Sequence, residues 1–231
     1  MKTLFNFKSP RTLSLSILSG MFAVAISLVS CHKDGLNDNS APASVMAVNS
    51  AQASAPQDFY VDNNKLNASA IAYTQSTGYF TVGSGSHQVQ FKTSANATVN
   101  TSFSTTFAMG GFYSVYYTDD NTASTYQNDR TSPGSGNCRV RFVNLSSAIK
   151  SNVDFAGVVG TKSTTIVSGL AYKAASAYNE VASNSTFSVS SSGSNSVLLN
   201  IPVTLQVGHI YTIVISGTTT ATLNYTLVAE N

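Results

Sequence analysis

Short runs of alternating apolar and polar residues extend from about residue 44 to the C-terminus. SVMAVNS (44–50), HQVQFKT (87–93), FYSVYYT (112–118), CRVRFVNL (138–145), NSVLLNIPVTL (195–205) and IYTIVIS (210–216) alternate or are rich in β-branched and aromatic residues. Runs of this kind read as strands. Clusters of Gly, Ser and Asn part them at short intervals, the spacing of a sandwich or barrel. Thr118 to Asn137 has no apolar rhythm and contains Pro133-Gly134, so it predicts a connector.

The runs occur twice. Val48-Asn49 ends one strand and Val143-Asn144 another. Asp58-Phe59 matches Asp154-Phe155, IAYTQSTGYFTV (71–82) matches LAYKAASAYNEV (170–181), and FAMGGFYSV (107–115) matches LQVGHIYTI (205–213). The order is kept and the offset stays between 95 and 99 residues. The Ala-rich segment 170–181 looks helical alone. Its partner at 71–82 is β-branched and aromatic, and weak helix propensity yields to context, so both are read as strands. The prediction is an all-β protein of two tandem Greek-key, immunoglobulin-like sandwiches, residues 44–120 and 138–231, joined by a linker at 121–137.

Phe107-x-x-Gly110-x-x-Tyr113 and Leu205-x-x-Gly208-x-x-Tyr211 share an apolar residue, a turn glycine and a tyrosine at fixed spacing. The pattern resembles the tyrosine corner of Greek-key sandwiches, whose hydroxyl bonds to backbone a few residues upstream. Tyr113 and Tyr211 are therefore assigned to stability.

The N-terminus breaks the β pattern. Residues 1–12 carry Lys2, Lys8 and Arg11 and no acid, and Leu13 to Ser30 is uncharged and mostly apolar. Such a segment reads as a signal peptide, residues 1–30. It ends Leu28-Val29-Ser30-Cys31, which resembles the lipobox of bacterial lipoproteins. The resemblance implies that Cys31 takes a lipid and becomes the mature N-terminus, with two acyl chains giving stable membrane anchoring. Residues 31–43 then form a flexible tether. His32-Lys33-Asp34 is similar to surface-export signals of Bacteroidetes lipoproteins. The expected location is the outer membrane, on its outer or periplasmic face.

Charge narrows the function classes. Only 10% of the chain is charged, and the formal +2 comes from the signal segment: beyond residue 30 stand nine basic and ten acidic residues. That balance offers no field for nucleic acid. With Cys31 on lipid, Cys138 has no disulfide partner and reads as a buried small apolar residue.

The repeats resemble the domain of unknown function 4397 family. RVRFVNLSS (139–147), Val153-Asp154 and LQVGHIYTI carry the resemblance. The family's Ser-Pro after the first strand is replaced by Ser146-Ser147 and Ser50-Ala51. The resemblance implies no catalytic residues.

The residues themselves offer no cofactor, metal or catalytic motif. His87 and His209 sit in turns, Glu180 is read as the only glutamate inside a domain, and Asp119, Asp120 and Asp129 belong to the connector. Asp58 and Asp154 hold equivalent places and predict bonds to turn backbone. Tyr60, Tyr116, Tyr117 and Tyr126 are the candidate binding surface, or else they cover the interface between the two domains. The expected role is structural or recognition, for a protein or glycan partner near the envelope. The alternatives are a hydrolase with a site between the domains and a periplasm-facing scaffold.

Overall fold

A computed structural model describes residues 41–149, 151–194 and 196–231. The signal segment, Cys31 and the tether up to residue 40 lie outside the described residues. The first half folds as β1 (Ala43–Asn49), β2 (Gln57–Val61), β3 (Asn64–Lys65), β4 (Phe80–Val82), β5 (Gly85–Thr93), β6 (Val99–Phe107), β7 (Phe112–Tyr117) and β8 (Ala123–Asn128). The second half folds as β9 (Asn137–Asn144), β10 (Val153–Val159), β11 (Lys162–Leu170), β12 (Ala174–Ala175), β13 (Asn179–Ala182), β14 (Thr186–Ser191), β15 (Val197–Ile201), β16 (Ile210–Ser216) and β17 (Asn224–Ala229). The protein is all-β, and among the described residues no helix is long and apolar enough to cross a membrane.

Each half is a sandwich of two sheets. The first has orders β4-β1-β7-β8 and β3-β2-β5-β6. The second has β12-β9-β16-β17, with β13 also on β9, and β11-β10-β14-β15. The copies share one topology, with β12 as the one additional strand of the second. In both, the first strand lies parallel to the penultimate one, Ser44 opposite Phe112 and Arg139 opposite Ile210. Each half thus has its first strand in the sheet opposite its second.

Alternation explains the cores. Val45 and Ala47 of β1, with Val115 and Tyr117 of β7, turn inward onto Phe59, Val89 and Phe91 of the facing sheet. In the second half Val140 and Phe142 of β9, with Ile213 and Ile215 of β16, meet Phe155, Phe187 and Val189. The Phe142 ring centroid lies 4.4 Å from that of Phe155, tilted, and 5.3 Å from that of Phe187, edge to face, and loss of such a ring costs about 3–5 kcal/mol.

The first and penultimate strands are apolar on both faces, because their outer faces are also covered. Met46, Val48 and Tyr116 of the first half pack against Val143, Leu145, Val214 and Val228 of the second. The two sheets that contain β1 and β9 therefore meet back to back in a third apolar layer, here called the seam. Tyr73 meets Ser216 at 2.9 Å, Gln52 donates to the Thr222 carbonyl at 2.9 Å, and Lys173 meets Asp120 at 2.6 Å across it.

Three segments differ from expectation. The predicted connector contains β8, which pairs with β7 along its length. Its sequence, ASTYQN, is polar because it is an edge strand covered on one side. Segments 71–82 and 170–181 are strand only in part. Between their short paired pieces the backbone turns through positive φ at Thr74 (+66°) and Lys173 (+57°), equivalent positions of the two copies. A buried asparagine explains both turns. Asn49 donates to the Ile71 carbonyl at 3.0 Å, while its own carbonyl takes the Thr74 N–H at 2.9 Å. Asn144 does the same for Leu170 at 3.3 Å and Lys173 at 2.7 Å.

Candidate functional site

A cleft of about 690 Å³ opens beside the seam. The first half contributes Phe112 of β7 and residues 125–130 of β8 and the chain after it; the second contributes Arg141 of β9 with Ala175, Ser176 and Tyr178. Its size falls within the range of small-molecule sites, about 300–1,000 Å³.

The inner wall is a buried polar network. Arg141 and Arg139 share the outer face of β9 by alternation. Arg141 is held inside, where its guanidinium donates to Glu230 at 3.0 Å, the Asn128 side chain at 2.7 Å, the Gln127 carbonyl at 2.8 Å and Thr212 at 3.0 Å. Glu230 is wholly enclosed. One carboxylate oxygen takes Arg141 and Thr212, and the other takes the Tyr178 hydroxyl at 2.5 Å. Burial pushes the Tyr178 hydroxyl far above its usual range, with Glu230 adding to the rise and Arg141 opposing it. Glu230, one residue from the C-terminus, falls outside the sequence-based assignment of Glu180 as the only in-domain glutamate. No local motif marks it, since its partners arrive from β9, β16 and the loop before β13.

The outer wall is aromatic and cationic. Tyr79 meets Phe112 edge to face at 5.4 Å. The Arg130 guanidinium lies 4.8 Å from the Phe112 centroid and 5.4 Å from that of Tyr79. Asn128 donates to the Tyr79 hydroxyl at 2.7 Å and to Ser114 at 2.7 Å.

The candidate tyrosines part company. Tyr126 is half-buried and lines the cleft. Tyr60 is half-buried on β2, with the Lys92 ammonium 4.0 Å above its ring. Tyr116 is 0% exposed and Tyr117 is 2% exposed, which corrects their place in a binding surface. Alternation sends Tyr116 into the seam and Tyr117 into the first core, and both directions are covered. Burial pushes the Tyr116 hydroxyl up to about 12. Tyr117 donates to Asn121 at 2.5 Å.

Tyr113 and Tyr211 sit at the corners. The Tyr113 hydroxyl accepts the Ala108 N–H at 2.9 Å, and the Tyr211 hydroxyl accepts that of Gln206 at 3.1 Å. Gly110 (φ +66°) and Gly208 (φ +82°) make the intervening turns, in the left-handed region that favours glycine.

The remaining titratable groups are dispersed. Asp119 accepts from the Gln52 N–H, Asp120 holds Lys173, and Asp129 pairs with Arg139 at 2.6 Å. The fold brings Asp62 to His87 at 2.7 Å, and that bond draws the Asp62 carboxyl below its usual range. Asp154 receives the Gly169 N–H at 2.7 Å, a turn-backbone bond, whereas Asp58 binds Lys65 at 2.8 Å and Asn67 at 3.3 Å. The expected equivalence of these two aspartates does not extend to their partners. The Cys138 thiol is buried and donates to the Gln206 carbonyl at 3.0 Å, and burial raises it. Among the described residues no group of His, Cys, Asp and Glu could hold a metal ion.

No curated protein matches the sequence. Among solved structures, the carbohydrate-binding module CBMbc (family CBM26) from Eubacterium rectale Amy13K, in complex with maltoheptaose, is similar at 10% identity. That similarity covers 81% of this chain and 97% of that one, with a TM-score of 0.30. A family 41 carbohydrate-binding module from streptococcal virulence factors is similar at 12% identity, with the same coverage and a TM-score of 0.24. A sequence family matches residues 43–156, which span the first sandwich, the connector, β9 and the start of β10. These residues carry a DUF4397 domain, described as a Domain of unknown function.

Proposed function

We propose that this is a non-catalytic recognition protein whose seam cleft binds a protein or glycan partner, held at the outer membrane by a lipid on Cys31. The observation that carries the reading is the state of the cleft's buried carboxylate. Glu230 is enclosed, and both its oxygens are engaged by Arg141, Thr212 and Tyr178. Glycoside hydrolysis needs two carboxylates about 5–10 Å apart with access to substrate. Here Asp129 is bound by Arg139 and Glu230 lies behind the wall. The surfaces left facing the cleft are aromatic rings, amides and an arginine, which are groups that bind.

The test is a binding screen of envelope glycans and proteins against the mature protein and a Gln127→Trp variant. Gln127 is exposed on β8 and borders the cleft, so a bulky ring there is carried at its rim and not in a core. A partner retained by the wild type and lost by the variant, at unchanged Tm, is the expected result. Equal retention would move the binding face elsewhere. Protease shaving of intact cells, with Cys31→Ala as the control, tests the address. Loss of the C-terminal half from whole cells places it outside, and sedimentation of Cys31→Ala with membrane would remove the lipid anchor.

A further inference from the structure

We infer that the seam cleft takes an acidic sugar, with Arg130 receiving its carboxylate. The inference rests on the recognition reading above and names the ligand's chemistry.

The charges around the cleft set the argument. Arg139 is matched by Asp129, and Arg141 by Glu230. Glu180, nearby in the second half, takes the Gly134 N–H and the Asn137 side chain, both at 3.1 Å. Arg130 forms no ion pair among the described residues. One cation is thus left without a countercharge, and it borders the cleft.

The guanidinium is also positioned. It lies over Phe112 and near Tyr79, and those two rings are set at 89° to each other. Tyr79 is fixed in turn by Asn128. A guanidinium stacked on rings loses few rotamers when it meets a ligand, and its planar fork matches a carboxylate in two parallel bonds.

The rest of the lining decides between an acidic sugar and an acidic peptide. Gln127 offers an amide, the Tyr178 hydroxyl, which donates to Glu230, keeps its accepting lone pairs, and Tyr126 offers a ring face. The Tyr126 hydroxyl is buried and has no partner. Such a lining suits a ligand with many hydroxyls and an occasional charge. A polyacidic peptide would need several free cations, and the cleft has one.

The test uses the mature full chain and isothermal titration with a panel of uronate oligosaccharides: oligogalacturonate, oligomannuronate and a glucuronate-containing chondroitin fragment. Carboxyl-reduced neutral forms of each and an oligo-glutamate peptide serve as comparisons. Arg130→Ala and Arg130→Lys are run beside the wild type, with Tm as the folding control. The expected result is binding of at least one uronate, at least tenfold weaker for its neutral form and for Arg130→Ala, with Arg130→Lys in between. If neutral forms bind equally and Gln127→Trp abolishes them, the carboxylate assignment fails and the cleft reading stands. Binding of oligo-glutamate alone, lost in Arg130→Ala, overturns the sugar but keeps the site. If none of the panel binds while a partner from the screen is still lost in Gln127→Trp, the inference alone fails. If that screen also finds no cleft-dependent partner, both fail.

Discussion

At the scale of single residues, one polar group in each copy holds a turn that apolar burial could not specify. Asn144 is enclosed, and its side chain satisfies the Leu170 carbonyl and the Ser146 N–H. Asn144→Ala leaves both groups buried without partners and should lower stability by about 2 kcal/mol or more, read from the urea midpoint at constant m. An unchanged midpoint would mean that water replaces the side chain. The corner tyrosines make a smaller case of the same kind. Tyr211→Phe removes the acceptor for the Gln206 N–H and should cost about 1 kcal/mol. The tyrosine spacing made Tyr113 and Tyr211 legible in the sequence. Asn49 and Asn144 were visible as repeated letters, but their role was not, because their partners lie more than twenty residues away.

At the scale of elements, alternation recovered β1, β5, β7, β9, β15 and β16, and missed the nine-residue β6 and β11 as well as the short strands. β1, β7, β9 and β16 alternate on a sequence that is apolar on both faces, so their existence was plain while their second covered face was not. Nothing local says that Met46 and Tyr116 will meet Val143 and Val214, since that requires the packing of one repeat on the other. β8 was missed for the opposite reason: an edge strand of Ser, Thr, Gln and Asn carries no apolar signal. The C-terminal tail after β17 shows how distant partners hide a buried charge. Glu230→Ala strands Arg141 without its countercharge and should cost about 3–5 kcal/mol. The double variant Arg141→Met/Glu230→Leu should recover much of that loss, because two apolar groups need no pairing. Equal losses in the single and double variants would show that the network's remaining hydrogen bonds outweigh the charge.

At the scale of the whole molecule, the two sandwiches are joined by an apolar seam with an ion pair at its rim. Burial pushes the Asp120 carboxyl up, but bonds from Lys173, Thr118 and Thr122 more than offset this and hold it well below the usual range. A carboxyl depressed in the folded state contributes stability that is complete above about pH 4 and is lost as pH falls below it. Both partners are partly in water, so the contribution stays within about 1 kcal/mol. The Tm of Lys173→Met should therefore lie slightly below wild type at pH 7 and converge with it toward pH 2. A constant gap across that range would assign the effect of Lys173 to packing.

The parallel pairing of first and penultimate strands has a consequence for how the chain is made. Ser44 meets Phe112 and Arg139 meets Ile210, separations of 68 and 71 residues. Pairings that distant require a large loop to close first, and they fold slowly. In N-to-C synthesis β1 emerges early and stays unpaired until β7 follows. The first sandwich, complete at Asn128, then waits for β9 and β16 with Met46, Val48 and Tyr116 uncovered. During that interval two nascent chains could join through this sticky face, each taking the place of the other's unmade second half. The short span from Asn128 to Asn137 works against that error, because it brings β9 beside the waiting face first and keeps the growing second half tethered there until β16 follows.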